Sequence, residues 1–250
     1  MKTSNKLLFS AILLILLSLV VYDTLLKAEY QTGNYKDPYK SFVILKFSDF
    51  DILDIHSSTA ANVKFVQGPF SVRIDKNTLD YVTVSQEGKH LRIDATFEGN
   101  YLGNPNQYIL LISCPKLLEV NTNAGYRSNN REVTDTVVRS DWNMRQVLIE
   151  GFNQDSLFIS QDYGSTVVLA NNHIRAVKAV VGKSPGSGSN LIIKNDNEFQ
   201  NVTLAIDNNS KLFLDNAGIQ NLNYQLADSA SLTIRGKAKD LLVNSKPEPK

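Results

Sequence analysis

From Ser156 onward the chain is written in pairs of short runs in which apolar and polar residues alternate. Ser156-Leu-Phe-Ile159 is followed by Thr166-Val-Val-Leu169, residues 176–181 by 191–193, residues 201–206 by 212–214, and residues 221–226 by 232–234. Leu157, Val177, Val202 and Leu222 hold the same phase, at steps of 20, 25 and 20 residues. A period of this size marks a repeat whose units cannot bury their own apolar face and must stack on their neighbours. Within a unit, Val202, Leu204 and Ile206 fall on one side of an extended strand, with Thr203 and Ala205 on the other. The runs are separated by Asp207-Asn-Asn-Ser210, Asp228-Ser-Ala-Ser231, Gln161-Asp-Tyr-Gly-Ser165 and the longer stretch 182–189, which absorbs the one long step. Asn, Asp and Gly suit tight corners because they accept left-handed backbone angles, so these clusters are read as turns.

The same alternation, less regular, runs ahead of the repeats at 50–55, 63–66, 72–74, 81–84, 91–93, 108–112 and 117–120, with corners at 67–69, 86–89 and 103–105. Nothing after the first two dozen residues has a helical period, which predicts an all-β body. Residues 121–146 break the pattern: they include the polar stretch 123–131 and Trp142, the one tryptophan. Such a stretch is either a loop closing one end of the stack or an insertion that carries function.

The N-terminus is of another kind. The run from Leu7 to Tyr22 has no charge, and Lys2 and Lys6 precede it. Sixteen helical residues reach ~24 Å, short of a hydrocarbon core of ~30 Å, and extension past Asp23 through Leu25 and Leu26 makes up the rest. A cleaved signal peptide competes with this reading, but no Ala-x-Ala pattern follows, since Leu26 stands two places before Ala28. The expected organisation is a signal anchor over 1–27, a polar stem with Gly and Pro over 28–40, a strand domain over 41–245 and a disordered tail over 246–250. The two lysines keep the N-terminus inside. The expectation is a single-pass inner-membrane protein with an extracytoplasmic C-terminal domain, the alternative being secretion after cleavage.

Composition narrows the chemistry. Twenty-six Lys and Arg against twenty-five Asp and Glu leave a net charge of +1, which gives no general attraction to nucleic acid. The single cysteine, Cys114, has no internal partner, and its place in Leu110-Leu-Ile-Ser-Cys-Pro115 reads as a buried, inert thiol. His56, His90 and His173 lack metal-ligand spacing. No nucleophile elbow, phosphate loop or dinucleotide fingerprint occurs, and Gly186-Ser-Gly-Ser189 lacks the Lys and following helix that phosphate binding needs. No metal, cofactor or catalytic residue is assigned. For a glycan-cleaving enzyme the available groups are Glu150, Asp155, Asp162, Asp207 and Asp215 with Arg145 and Arg175, most of them at strand ends where solvation and turn capping are the ordinary roles.

Several segments in order resemble the auto-transporter adhesin family with a head GIN domain, common in Bacteroidetes. They are Phe47-Ser-Asp-Phe-Asp-Ile-Leu-Asp-Ile55, Ala61-Asn-Val-Lys-Phe-Val-Gln-Gly68 with Val72-Arg-Ile74, Val82-Thr-Val84, Leu91-Arg-Ile93, Ile112-Ser-Cys-Pro-Lys-Leu117 and the closing strand repeats. The resemblance spans roughly residues 47–243 and departs in the corners, where Asp-Asn-Asn-Ser and Asp-Ser-Ala-Ser stand in place of Gly-Ser or Gly-Ala. It implies a right-handed parallel β-helix-like solenoid outside the inner membrane. The chain has no series of membrane-crossing strands of the kind a self-exporting barrel needs. The functional expectation is a non-catalytic, adhesin-like envelope module that binds glycan or protein through a polar strand face; the alternative is a polysaccharide lyase or hydrolase built around 150–162.

Overall fold

The computed structural model describes residues 3–33, 36, 39–98, 108–138 and 145–240. Trp142, the corner at 103–105 and the expected tail lie outside them. The chain divides into two units, Met1–Phe42 and Val43–Lys250.

In the first unit the apolar run becomes a helix, α1, Thr3–Thr32. Leu and Ala favour it and no Gly or Pro interrupts it. The hydroxyls of Ser10, Ser18, Thr24 and Thr32 donate to carbonyls three or four residues back at 2.6–2.9 Å, so their own polarity is met inside the helix. Gly33 ends it with a φ of 70°, its amide donating to the Tyr30 carbonyl at 3.2 Å. The helix takes in residues 28–32, which the sequence reading assigned to the stem, because the first breaker is Gly33. At ~1.5 Å per residue, α1 is ~45 Å long. It is long and apolar enough to cross a membrane, with a mean hydropathy of 2.3 over 18 residues.

The second unit is built from strands. The first ten are β1 (Phe42–Leu45), β2 (Ile52–Ile55), β3 (Val63–Gln67), β4 (Ser71–Asp75), β5 (Val82–Glu87), β6 (His90–Phe97), β7 (Leu110–Cys114), β8 (Glu119–Thr122), β9 (Gly125–Ser128) and β10 (Arg131–Thr134). Nine follow: β11 (Val147–Glu150), β12 (Asn153–Gln161), β13 (Thr166–Ala170), β14 (His173–Val181), β15 (Asn190–Ile193), β16 (Glu198–Ile206), β17 (Lys211–Asp215), β18 (Gly218–Leu226) and β19 (Ser231–Arg235). Among the described residues they form two mixed sheets and no closed barrel. One has the order β1-β4-β7-β3-β11-β13-β15-β17-β19; the other has β10-β9-β6-β2-β8-β12-β14-β16-β18, with β5 beside β6.

From β11 onward, successive strands alternate between the sheets, and from β13 each lies parallel to the strand two places earlier. The phase read from sequence is the register of the structure: Leu157 pairs with Val177, Val177 with Val202, and Val202 with Leu222. Facing them, Val167, Leu191 and Leu212 form a second row, each with no exposed surface. Each such side chain withdrawn from water contributes ~1.5–3 kcal/mol before the cost of ordering it. The corners between the sheets carry buried polar rows. Asn172 donates to the Ile149 carbonyl and to Asn197 Oδ1, both at 3.0 Å, and accepts from the Phe152 amide at 2.9 Å. At the opposite corner the hydroxyls of Thr122, Ser165 and Ser189 contact one another in turn, and the Ser189 amide donates to Ser210 Oγ at 3.1 Å. The turn reading of the Asn-rich corners holds, with positive φ at Tyr163, Asn171, Asn208 and Asn216.

The first ten strands depart from the uniform parallel arrangement that the resemblance implied. β4 runs antiparallel to β7, β5 to β6 and β9 to β10. The stretch from residue 121 is also more ordered than its polarity predicted. Asn129 and Asn130, with φ of 49° and 60°, make the two-residue turn that joins β9 and β10. Two left-handed residues in succession match the twist of a hairpin, and Asn accepts them readily.

Candidate functional site

A polar trough of about 750 Å³ opens across the first residues of β12, β14, β16 and β18. Its origin is local. In each of these strands two successive residues face outward, at 155–156, 175–176, 200–201 and 220–221. The residues Asp155, Arg175, Gln200 and Gln220 drop out of the pairing register, so all four strands kink at the same place. Ile174, Phe199 and Ile219, just before the kink, turn inward and are 2%, 1% and 8% exposed. One lip of the trough is the row Asn153, His173, Glu198 and Gly218; the other is Asp155, Arg175, Gln200 and Gln220. Neighbouring rungs are a strand spacing apart, ~4.8 Å.

The charged side chains within the trough lie in pairs. Arg175 Nη2 lies 3.3 Å from Asp155 Oδ1, and His173 Nε2 lies 3.5 Å from Glu198 Oε2. All four side chains remain half or more exposed, so these pairs orient groups more than they stabilise the fold. The side chains of Gln200 and Gln220 are exposed and have no hydrogen-bond partner among the described residues.

A second opening, of about 540 Å³, lies on the same sheet beside the β9–β10 hairpin and is lined by His56, Arg92, Asp94, Arg127, Glu132 and Tyr163 among others. Asp94 accepts from Arg92 Nε at 2.7 Å and sits 3.1 Å from His56 Nδ1. The His56 hydrogen bond, and after it that of Arg92, outweigh burial and hold the Asp94 carboxyl below the usual range. The Arg92 guanidinium is raised, first by its hydrogen bond to Asp94. Next to this group, His90 Nδ1 lies 2.8 Å from Asp54 Oδ2. Each of the three histidines therefore faces a carboxylate on this one sheet, and no group of three or more potential ligands forms among the described residues.

The acidic candidates do not converge. Glu150 ends β11 on the other sheet, paired with Lys64 at 2.5 Å. Asp155 stands in the trough, and Asp162 follows the far end of the same strand, seven residues on, or ~23 Å of extended chain. Asp162 is a corner residue. Burial pushes its carboxyl up, but hydrogen bonds from the Ser184 hydroxyl and amide and from Tyr163 and Ser187 outweigh that and leave it lowered. Asp207 caps a turn, its carbonyl accepting from the Ser210 amide at 3.3 Å, and Asp215 ends β17 opposite Arg235. Arg145 is buried and donates to the carbonyls of Thr59 and Ala60 at 3.0 and 2.8 Å, which makes it a structural residue. Cys114 is fully buried, and burial pushes its thiol up to about 12, the inert thiol expected. Gly186 and Ser187 belong to the long corner, where Ser187 and Ser189 are buried. Sequence reasoning missed the trough because it began each repeat at Ser156. Aligning three residues further back superposes 153–156, 173–176, 198–201 and 218–221 and brings out both lips.

No family model and no curated protein matches this chain. Among solved structures, a "putative adhesin" from Bacteroides fragilis is similar at 10% identity over 79% of this chain and 99% of its own, with a TM-score of 0.44. A "putative lipid binding protein" from Parabacteroides distasonis is similar at 13% identity over 78% of this chain and 94% of its own, with a TM-score of 0.33. A "putative adhesin" from Parabacteroides merdae stands at 8% identity, 78% and 96% coverage, and a TM-score of 0.31. Overlaps this loose bear on neither site.

Proposed function

We propose that this chain is a non-catalytic, adhesin-like envelope module of the head GIN type. In this reading its strand domain, residues 41–245, is a right-handed parallel β-helix-like solenoid that binds envelope glycan or protein through one polar sheet face. The apolar run from Leu7 to Tyr22 within α1 holds it in the inner membrane as a single span, with Lys2 and Lys6 inside and the strands extracytoplasmic; release after signal cleavage is the alternative. The observation that carries the binding reading is the trough: two rows of polar side chains repeating at strand spacing over a dry aliphatic core. A rigid, periodic set of hydrogen-bonding groups suits an extended polymer, since little order is lost on binding.

The polysaccharide-cleaving alternative draws on Asp155, Arg175 and Glu198 sharing the trough. Asp155 and Glu198 are 74% and 75% exposed, and such chemistry draws on carboxyls set in a water-poor site. Two measurements test the proposal. Fractionation with protease protection and mass determination of the mature N-terminus should find an intact, membrane-bound chain with protected strands outside the cytoplasm. The full chain in detergent should co-sediment with isolated envelopes and release no reducing ends from polysaccharide. Soluble chain lacking α1 would contradict the anchor, failure to co-sediment would contradict the binding role, and turnover abolished by Asp155→Asn would establish the enzyme.

A further inference from the structure

We infer that the trough takes a neutral, hydroxyl-rich glycan chain lying across β12, β14, β16 and β18; this rests on the envelope-binding reading above and names its ligand class. The first ground is direction. The two lips run perpendicular to the strands, and four strands at ~4.8 Å give a continuous row of ~14 Å. A ligand that uses the whole row must be elongated and must present similar groups at regular intervals.

Charge supplies the second ground. Asp155 and Arg175 neutralise each other, and Glu198 faces His173, so the lining holds two carboxylates against one permanent cation. That excess of one carboxylate disfavours a polyanion, and with Asp155 held by Arg175 it leaves a polycation only Glu198 to engage. What is left free to recognise a ligand is amide chemistry. Gln200 and Gln220 project from the lip without a partner among the described residues, and an amide, which both donates and accepts, complements a hydroxyl, which does the same.

The third ground is the direction of the large apolar side chains beneath the trough. Ile174, Phe199 and Ile219 point into the core, so there is no apolar pocket for the alternating side chains of an extended peptide, and the one exposed ring on the lips is the His173 imidazole. Each rung then contributes little, and affinity accumulates along the chain. Gly218 completes the geometry. A Cβ there would come within 2.9 Å of the Asn197 carbonyl oxygen, so strand packing demands glycine. The first lip consequently carries no side chain at β18, and a longer glycan can run out past that end.

The test uses the full chain in detergent and measures binding to neutral glucan, mannan and xylan oligosaccharides of increasing length, to oligouronates of matched length, and to extended peptides. The inference predicts binding of a neutral series that tightens with length and levels off once the oligomer spans the trough. The double change Gln200→Ala with Gln220→Ala should weaken it at least tenfold. Lys178→Ala, on the same sheet outside the trough, should change it less than twofold, with melting unaltered in both variants. Preference for oligouronates or peptides, or equal loss in the Lys178 variant, would overturn the glycan assignment and leave the binding module standing. Failure to bind any of these polymers or isolated envelopes would remove both.

Discussion

The strands before and after residue 145 solve the same burial problem by different means. From β13 to β19 each strand lies beside the one two positions earlier, so Val177 needs no information beyond that already used for Leu157. In β1 to β10 the partner of a strand is set individually: β2 lies between β6 and β8, and β3 between β7 and β11. The regular half turns its uniformity into four kinks in line and hence a trough. The irregular half gathers charge instead, with Asp54, His90, Arg92 and Asp94 on two adjacent strands and His56 just past the end of β2. Repetition yields an extended polar trough, and its absence yields a compact ionic cluster.

The strongest way to break this comparison is to charge the shared core. Leu204 is 1% exposed in the stacked rows, and Leu204→Asp should remove at least ~4–5 kcal/mol and abolish cooperative unfolding. Val133→Asp in the half-buried hairpin should cost no more than ~1 kcal/mol, both read from urea melts. Asn172→Ala comes next. It removes the side chain that satisfies the Phe152 amide and the Ile149 carbonyl inside the corner, and should cost ~2–3 kcal/mol by the same measurement.

Acid sharpens the contrast, because each half has a carboxyl with a lowered pKa among the described residues: Asp94 in the ionic cluster and Asp162 at a repeat corner. The unfolded chain takes up these protons first. Their contribution is therefore complete above the unfolded value of ~3.9 and is lost as pH falls through the lower folded value. Stability measured from about pH 2 to 5 should show a shallower acid limb in Asp94→Asn and in Asp162→Asn than in the parent. A limb parallel to the parent's would show that the pairing stabilises nothing. The smallest effect is expected at the β9–β10 turn. Asn130→Gly should be neutral within ~0.5 kcal/mol at its φ of 60°, whereas Asn130→Val should cost ~1 kcal/mol or more.

How much could be read beforehand follows from the same contrast. The phase of Leu157, Val177, Val202 and Leu222 was legible because a period-two pattern recurring at a near-constant step identifies both strand and partner. The buried thiol of Cys114 was legible from its apolar flanks. The trough was not, because a kink places two outward residues side by side and interrupts the alternation on which strand reading depends. Nor was the hairpin, since Asn129-Asn130 carries its turn in backbone angles while its flanks are polar. The separation of Glu150, Asp155 and Asp162 was hidden for a third reason: short sequence distance misleads when one extended strand carries its two ends ~23 Å apart.

The register of the repeats underlies both the core and the trough, and paired cysteines test it most directly. Asn201 and Asn221 are opposite one another, their side chains hydrogen-bonded at 3.2 Å, on the row bordering the trough. In the Asn201→Cys, Asn221→Cys variant the two cysteines should lie ~4.8 Å apart and close a disulfide on mild oxidation. Asn201→Cys with Asn223→Cys, two residues out of register along β18, should stay reduced. Cross-linking of the second pair in preference to the first, or of neither, would contradict the account.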